Sequence, residues 1–101
     1  MARQRSELSE KLHEICQNVY FQPPANIKLT YPCIIYRLDN LNVRFADNGG
    51  YQVMDEYSLT YITRDPDDEL IRIIPLTFPY CVMTNTATSD NLRNYYYRLY
   101  F

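Results

Sequence analysis

Carboxylates supply most of the candidate chemistry in this chain. Asp55-Glu56 is the acidic pair inside a strictly alternating stretch, and Asp65, Asp67, Asp68 and Glu69 cluster around Pro66. Acid–base catalysis by paired carboxylates needs both groups aimed at one substrate. Adjacent residues of a strand point to opposite faces, so Asp55 and Glu56 cannot share one. The second cluster lacks the ligand spacing of a calcium loop. A helix start accounts for it: Asp65 can accept hydrogen bonds from the first free N–H groups, and Pro66 suits the first helical position. Asp67, Asp68 and Glu69 then complement the positive end of the dipole.

The remaining reactive residues are sparse. His13, the one histidine, falls on the flank of an amphipathic helix and reads as solvated surface. Cys16, Cys33 and Cys81 are odd in number and lack any C-x-x-C pair, which with a single His makes zinc improbable. Buried, reduced thiols are expected instead. No motif frames a Cys–His nucleophile pair. Gly49-Gly50 is followed by neither Lys nor a helix start, so it is a turn and not a phosphate loop. The residues therefore predict no enzyme, no metal and no cofactor.

Around these residues the elements are legible by period. From Tyr51 to Thr63, Tyr51, Val53, Tyr57, Leu59 and Tyr61 fall on one face, with Gln52, Glu56, Ser58 and Thr60 on the other. That is a half-buried strand. At about 3.3 Å per residue it spans roughly 40 Å, so part of it should project beyond the core. Leu70, Ile73 and Ile74 follow at helical spacing, and Pro75 is expected to end that helix. Upstream, Leu8, Leu12, Ile15 and Val19 predict a helix from about Arg5 to Val19, with Ser6 as its cap. Tyr20 to Tyr31, containing Pro23-Pro24, reads as a linker.

Cys33 to Asp39 reads as a strand buried on both faces at Ile34-Ile35-Tyr36, and Asp39-Asn40 as a turn. Asn42 to Ala46 is a second, short strand, and Asp47-Asn48-Gly49-Gly50 a hairpin turn into the long one. Cys81 to Thr84 is a brief strand, Asn85 to Asp90 a polar loop, and Leu92 to Phe101 a terminal strand. There Tyr95, Tyr97, Leu99 and Phe101 face the core and Tyr96, Arg98 and Tyr100 face out. The sum is one α+β domain over residues 1–101. It has a mainly antiparallel sheet with a long β-hairpin and helices packed on one face.

Composition bounds the partners. The 101 residues carry a net charge of −2 with no basic patch, which argues against phosphate neutralisation. Eleven Tyr and four Phe with no Trp suit surfaces buried between subunits. No apolar run approaches the ~20 residues of a membrane span. The charged N-terminus has no apolar core of a signal peptide, so a cytoplasm-like compartment is expected.

The series Pro23-Pro24, Tyr31-Pro32-Cys33-Ile34-Ile35-Tyr36, a Gly-containing turn, Tyr57-Ser58-Leu59-Thr60-Tyr61-Ile62-Thr63-Arg64-Asp65-Pro66-Asp67, and Asp90-Asn91-Leu92 before an aromatic strand has a known counterpart. Over nearly the whole chain it resembles the tail-terminator (tail-completion) proteins of long-tailed, siphovirus-type bacteriophages. The resemblance implies an α+β subunit of a homo-hexameric ring that caps the tail tube and stops its elongation. The ring would also offer a docking surface to the head-completion or connector (stopper) protein. Its partners would be the major tail tube protein, that connector, and phage DNA passing through the lumen without specific binding. The expected place is the head-proximal end of the virion tail, after synthesis in the host cytoplasm.

On this reading the tip Asp47, Asn48, Gly49 and Gly50 reaches toward the lumen or tube, and Asp47, Asp55 and Glu56 make the lumen negative. Glu56, Arg64, Tyr96, Arg98 and Tyr100 are candidate subunit contacts. One alternative is a head-completion or stopper protein of the phage neck. The other is an RNA-recognition-type module stacking bases on Tyr57, Tyr61 and Tyr97. The acidic balance, and the absence of Lys or Arg between those aromatics, weigh against it.

Overall fold

The computed structural model describes residues 4–47 and 50–101, with the backbone course alone at 45–47 and 50–52. Among these residues the order is α1 (Arg5–Ile15), β1 (Val19–Phe21), β2 (Cys33–Asp47), β3 (Gly50–Thr63), α2 (Leu70–Thr77), β4 (Cys81–Ser89) and β5 (Leu92–Tyr100). The strands make one sheet in the order β1-β2-β3-β5-β4. Only the β1–β2 pair is parallel. The architecture is α+β, as the periodicities predict.

Side-chain rows across the sheet show why the helices share a face. Tyr36, Leu59 and Tyr97 stand opposite one another, as do Ile34, Tyr61 and Tyr95, and then Leu38, Tyr57 and Leu99. These rows carry the core, together with Leu8 and Leu12 of α1, Ile74 of α2, Phe78 and Phe101. Burying each such leucine or tyrosine contributes about 1.5–3 kcal/mol. Ring contacts add to this packing: Phe21 lies 4.9 Å from its strand neighbour Tyr36, and Phe78 after α2 meets Phe101 edge-on at 6.1 Å. The terminal strand alternates as predicted, with Tyr97, Leu99 and Phe101 buried and Tyr95 half-buried, while Arg98 is exposed on the other side.

Several boundaries differ from the sequence reading. Helix α1 stops at Ile15, and its N-cap is Gln4, which makes no side-chain cap bond; Ser6 does not cap it. Val19 belongs to a strand: Val19, Tyr20 and Phe21 pair in parallel with Ile34, Ile35 and Tyr36, so the linker begins after them. Three residues are too few to show a period. Burial on both faces of β2 is complete only at Cys33 and Ile34, since Ile35 is half-buried.

No turn forms at Asp39-Asn40. The pairing with β3 slips between Leu38 and Asn40 and again between Asn40 and Val43, with Asn42 at φ 55°. These are bulges, so the two strands read there are one. The expected loop at Asn85–Asp90 is instead the greater part of β4, whose only buried residue is Cys81. Asp90 and Asn91, at φ 52° and 64°, form the two-residue connection to β5, the handed turn that hairpin twist favours.

Helix α2 starts at Leu70 and contains Pro75 instead of ending before it. Proline has no N–H to give the Ile71 carbonyl. The Tyr97 hydroxyl donates to that carbonyl at 2.7 Å, so the bond lost within the helix is supplied by the sheet.

Candidate interaction surfaces

Among the described residues, the face of the sheet opposite the helices has no second layer. Across it run Ile35, Thr60, Tyr96 and Asn85 in one row and Arg37, Ser58, Arg98 and Val82 in the next; Glu56 opposes Tyr100 at the edge of the arm. Glu56, Tyr96, Arg98 and Tyr100 are thus brought together as their alternation predicts. Arg64 is not. It lies beyond the end of β3, eight residues or about 26 Å from Glu56, and its guanidinium sits over the Tyr31 ring at 5.6 Å.

Charges on this face are matched. Arg98 pairs with Glu56 at 3.8 Å and Arg37 with Asp39 at 3.1 Å, and Ser58 donates to Asp39. Such exposed pairs stabilise little, but they give the two arginines of these rows, Arg37 and Arg98, carboxylate partners in place of phosphate. The aromatics required for base stacking are unavailable as well. Tyr57, Tyr61 and Tyr97 lie beneath the helices, at 2 %, 0 % and 2 % exposure.

A second surface is the end of the β2–β3 hairpin. Strand β5 stops pairing at Glu56–Tyr100, and the backbones of Asp55 and Phe101 exchange two last hydrogen bonds of 3.0 Å. Beyond them β2 and β3 continue alone, from Val43–Met54 to Asp47–Gly50. This two-stranded arm runs about 16 Å past the third strand. The projection expected from strand length is present. Of the expected tip, Asp47 and Gly50 oppose each other, while Asn48 and Gly49 lie outside the described residues. The negative lining read from the sequence is weakened. Asp55 accepts the Asn42 N–H at 3.0 Å, Glu56 is paired with Arg98, and the Asp47 side chain lies outside the described residues.

A third surface, not read from the sequence, is the groove between α2 and the free edge of β4. Ile73, Leu76 and Met83 line it and are 39 %, 84 % and 50 % exposed. Strand β4 holds no charged residue, and its run of Thr with Val and Met was the available strand signal. The groove is anchored by Asp68. Its carboxylate accepts the Tyr61 hydroxyl at 2.5 Å, the Thr63 hydroxyl at 3.0 Å and the Leu70 N–H at 3.0 Å. Asp68, not Asp65, therefore satisfies the first amide of α2, whose N-cap residue Glu69 makes no side-chain cap bond. Asp65 instead accepts from the Asp67 N–H in a tight turn. Burial, and then this bond to Asp68, holds the Tyr61 hydroxyl's pKa far above its ordinary value.

Nucleophile chemistry finds no support in the thiols. Burial pushes the Cys81 thiol up to about 11, and burial followed by neighbouring Cys16 does the same to Cys33. At neutral pH such groups are thiolate in only about one molecule in 10⁴. His13 is exposed, its Nδ1 2.8 Å from the Ser9 carbonyl of its own helix.

A pH dependence follows. The unfolded thiols titrate near about 8.5, so between there and about 11 the unfolded chain binds fewer protons than the folded one, and stability falls as pH rises. Buried Tyr61 and Tyr97, also shifted upward, act with the same sign. The urea midpoint should hold from pH 7 to 8 and drop by pH 10.5; an unchanged midpoint at pH 10.5 contradicts this.

Among the described residues no three His, Cys, Asp or Glu side chains gather as metal ligands, and no helix is long and apolar enough to cross a membrane. Comparison of the chain with protein-family models, with curated proteins and with solved structures finds no match.

Proposed function

We propose that the chain is a structural subunit of a long-tailed phage. Copies close into a ring, six-membered in the family the sequence resembles, at the head-proximal end of the tail tube. The ring ends tube growth and receives the head connector, while DNA passes through its lumen unbound. One observation supports this reading above the rest. The β2–β3 arm carries five residue pairs past the last contact with a third strand, and two strands alone are marginal in water. An arm of that kind is accounted for by a neighbouring subunit or tube. The ion-paired open face agrees, since it suits protein contact better than phosphate.

The test is electron microscopy of lysates from a phage unable to make the protein, with the same phage complemented by the wild-type chain as the control that should restore normal virions. Overlong tails without heads support the terminator reading, and purified protein should form rings on isolated tubes. Tails of normal length that fail to join heads would move the chain to the neck as a head-completion or stopper protein. Normal virions would overturn both.

A further inference from the structure

Two unpartnered surfaces in this fold match each other. The arm bears exposed Arg44, and Leu41, 59 % exposed, lies at its base. The bulge at Asn42 inserts one residue, since Asn40 pairs with Glu56 but Val43 with Met54. That extra residue returns Leu41 and Arg44 to one side of the hairpin, two ladder steps or about 7 Å apart along the strand. On the other edge of the sheet, the groove beside α2 presents Leu76 at one end and Glu69 and Asp67 at the other. Seven residues of helix separate Leu76 from Glu69, about 10 Å, a spacing the long Arg44 side chain can reach. The groove's charged residues are Asp67, Asp68, Glu69 and Arg72, three acids and one base, a net of −2.

We infer that the β2–β3 arm of one copy seats in the α2–β4 groove of the next, Leu41 against Leu76 and Met83, Arg44 against Glu69 and Asp67. The inference rests on the ring reading and names the contact that closes the ring. Arm and groove lie on different strands, β2–β3 and β4, separated in the sheet by β5. A contact between two different patches is head-to-tail and repeats around an axis until it closes. Apolar side chains in the centre of the contact would supply affinity, and the Arg–acid pairing at its end would fix orientation. The same contact would give the β4 edge a neighbour, covering an uncharged strand that water alone protects poorly.

The three native cysteines are buried, so an engineered pair can report the contact. Leu41→Cys with Leu76→Cys in one chain, mixed with isolated tail tubes and mildly oxidised, should give a ladder of covalent oligomers on non-reducing gels. The ladder should end at the ring number, and neither single variant should exceed a dimer. Arg44→Glu should raise the concentration for half-assembly about tenfold, and Glu69→Arg in the same chain should restore it, with circular dichroism unchanged throughout. If wild-type rings form but the double-cysteine chain gives no ladder and the charge reversal has no effect, the arm–groove contact is wrong and the ring reading stands. If the wild-type chain forms no ring on tubes, the ring reading fails and takes this inference with it. A product that stops at a dimer in the double-cysteine chain overturns the head-to-tail form.

Discussion

Deleting Tyr96 to Phe101 should abolish cooperative folding at 25 °C. The segment looks dispensable because chain ends often fray, but here it is the inner half of β5, between β3 and β4. Removing it strips Leu59 of Tyr97, Tyr57 of Leu99 and Glu56 of Tyr100 on one side, and Cys81, Val82, Met83 and Asn85 of their partners on the other. Tyr97, Leu99 and Phe101 are 2 %, 0 % and 4 % exposed. At about 1.5–3 kcal/mol each, their burial alone contributes some 5–9 kcal/mol, against a total stability of about 5–15 kcal/mol for a domain. The loss of the Tyr97 hydroxyl would also leave the Ile71 carbonyl without a donor beside Pro75. Circular dichroism should show no melting transition. A soluble truncated chain that melts at the wild-type temperature refutes the assignment of β5 as an inner strand of the core.

The same alternation that makes this prediction possible is what made the fold readable. Tyr57, Leu59 and Tyr61, and then Tyr97, Leu99 and Phe101, repeat at two residues because the helices cover one face and, among the described residues, no element covers the other. That repeat also placed Glu56, Tyr96, Arg98 and Tyr100 on a common face. Where a strand lacks such asymmetry the signal disappears. Strand β4 is exposed from Val82 to Ser89, so its side chains needed no alternation and looked like a loop. Strand β1 is three residues long and exists because Ile34–Tyr36 offers it a ladder.

Local chemistry misled the reading at two other places. Pro75 does not end α2, because a distant tyrosine supplies the missing donor. Asp39-Asn40 does not turn the chain, because two bulges absorb the extra residues while β3 runs on beside them. Arg64 shares the parity of Glu56 in the sequence, but parity has no meaning past Thr63, where the strand ends. The groove partners Leu76 and Met83 come from different elements, and no single-element pattern can join them.

Replacing Asp68 by Ala should destabilise the domain by about 3–5 kcal/mol, the largest effect expected from one polar residue here. One carboxylate satisfies three donors, and two of them belong to side chains with no access to water, Tyr61 at 0 % and Thr63 at 3 % exposure. A hydrogen bond to a charged acceptor is worth about 1.5–3 kcal/mol, and a buried donor left unpaired costs about 1–3 kcal/mol more. The loss is not simply additive, because removing the Tyr61 hydroxyl removes one of the orphaned groups. In urea denaturation, Asp68→Ala with Tyr61→Phe should therefore be at least about 1 kcal/mol more stable than the two single losses would sum to.

Amide exchange adds a readout that a purely global effect would not give. The Leu70 N–H, bonded to the Asp68 carboxylate, and the Ile71 N–H, bonded to the Asp68 carbonyl, should lose protection first. Those amides belong to the start of α2, six and five residues before Leu76. Loosening them should blur the groove and weaken assembly even at temperatures where the variant remains folded. A variant within about 0.5 kcal/mol of wild type, or strictly additive with Tyr61→Phe, would show that Asp68 does not hold α2 on the sheet.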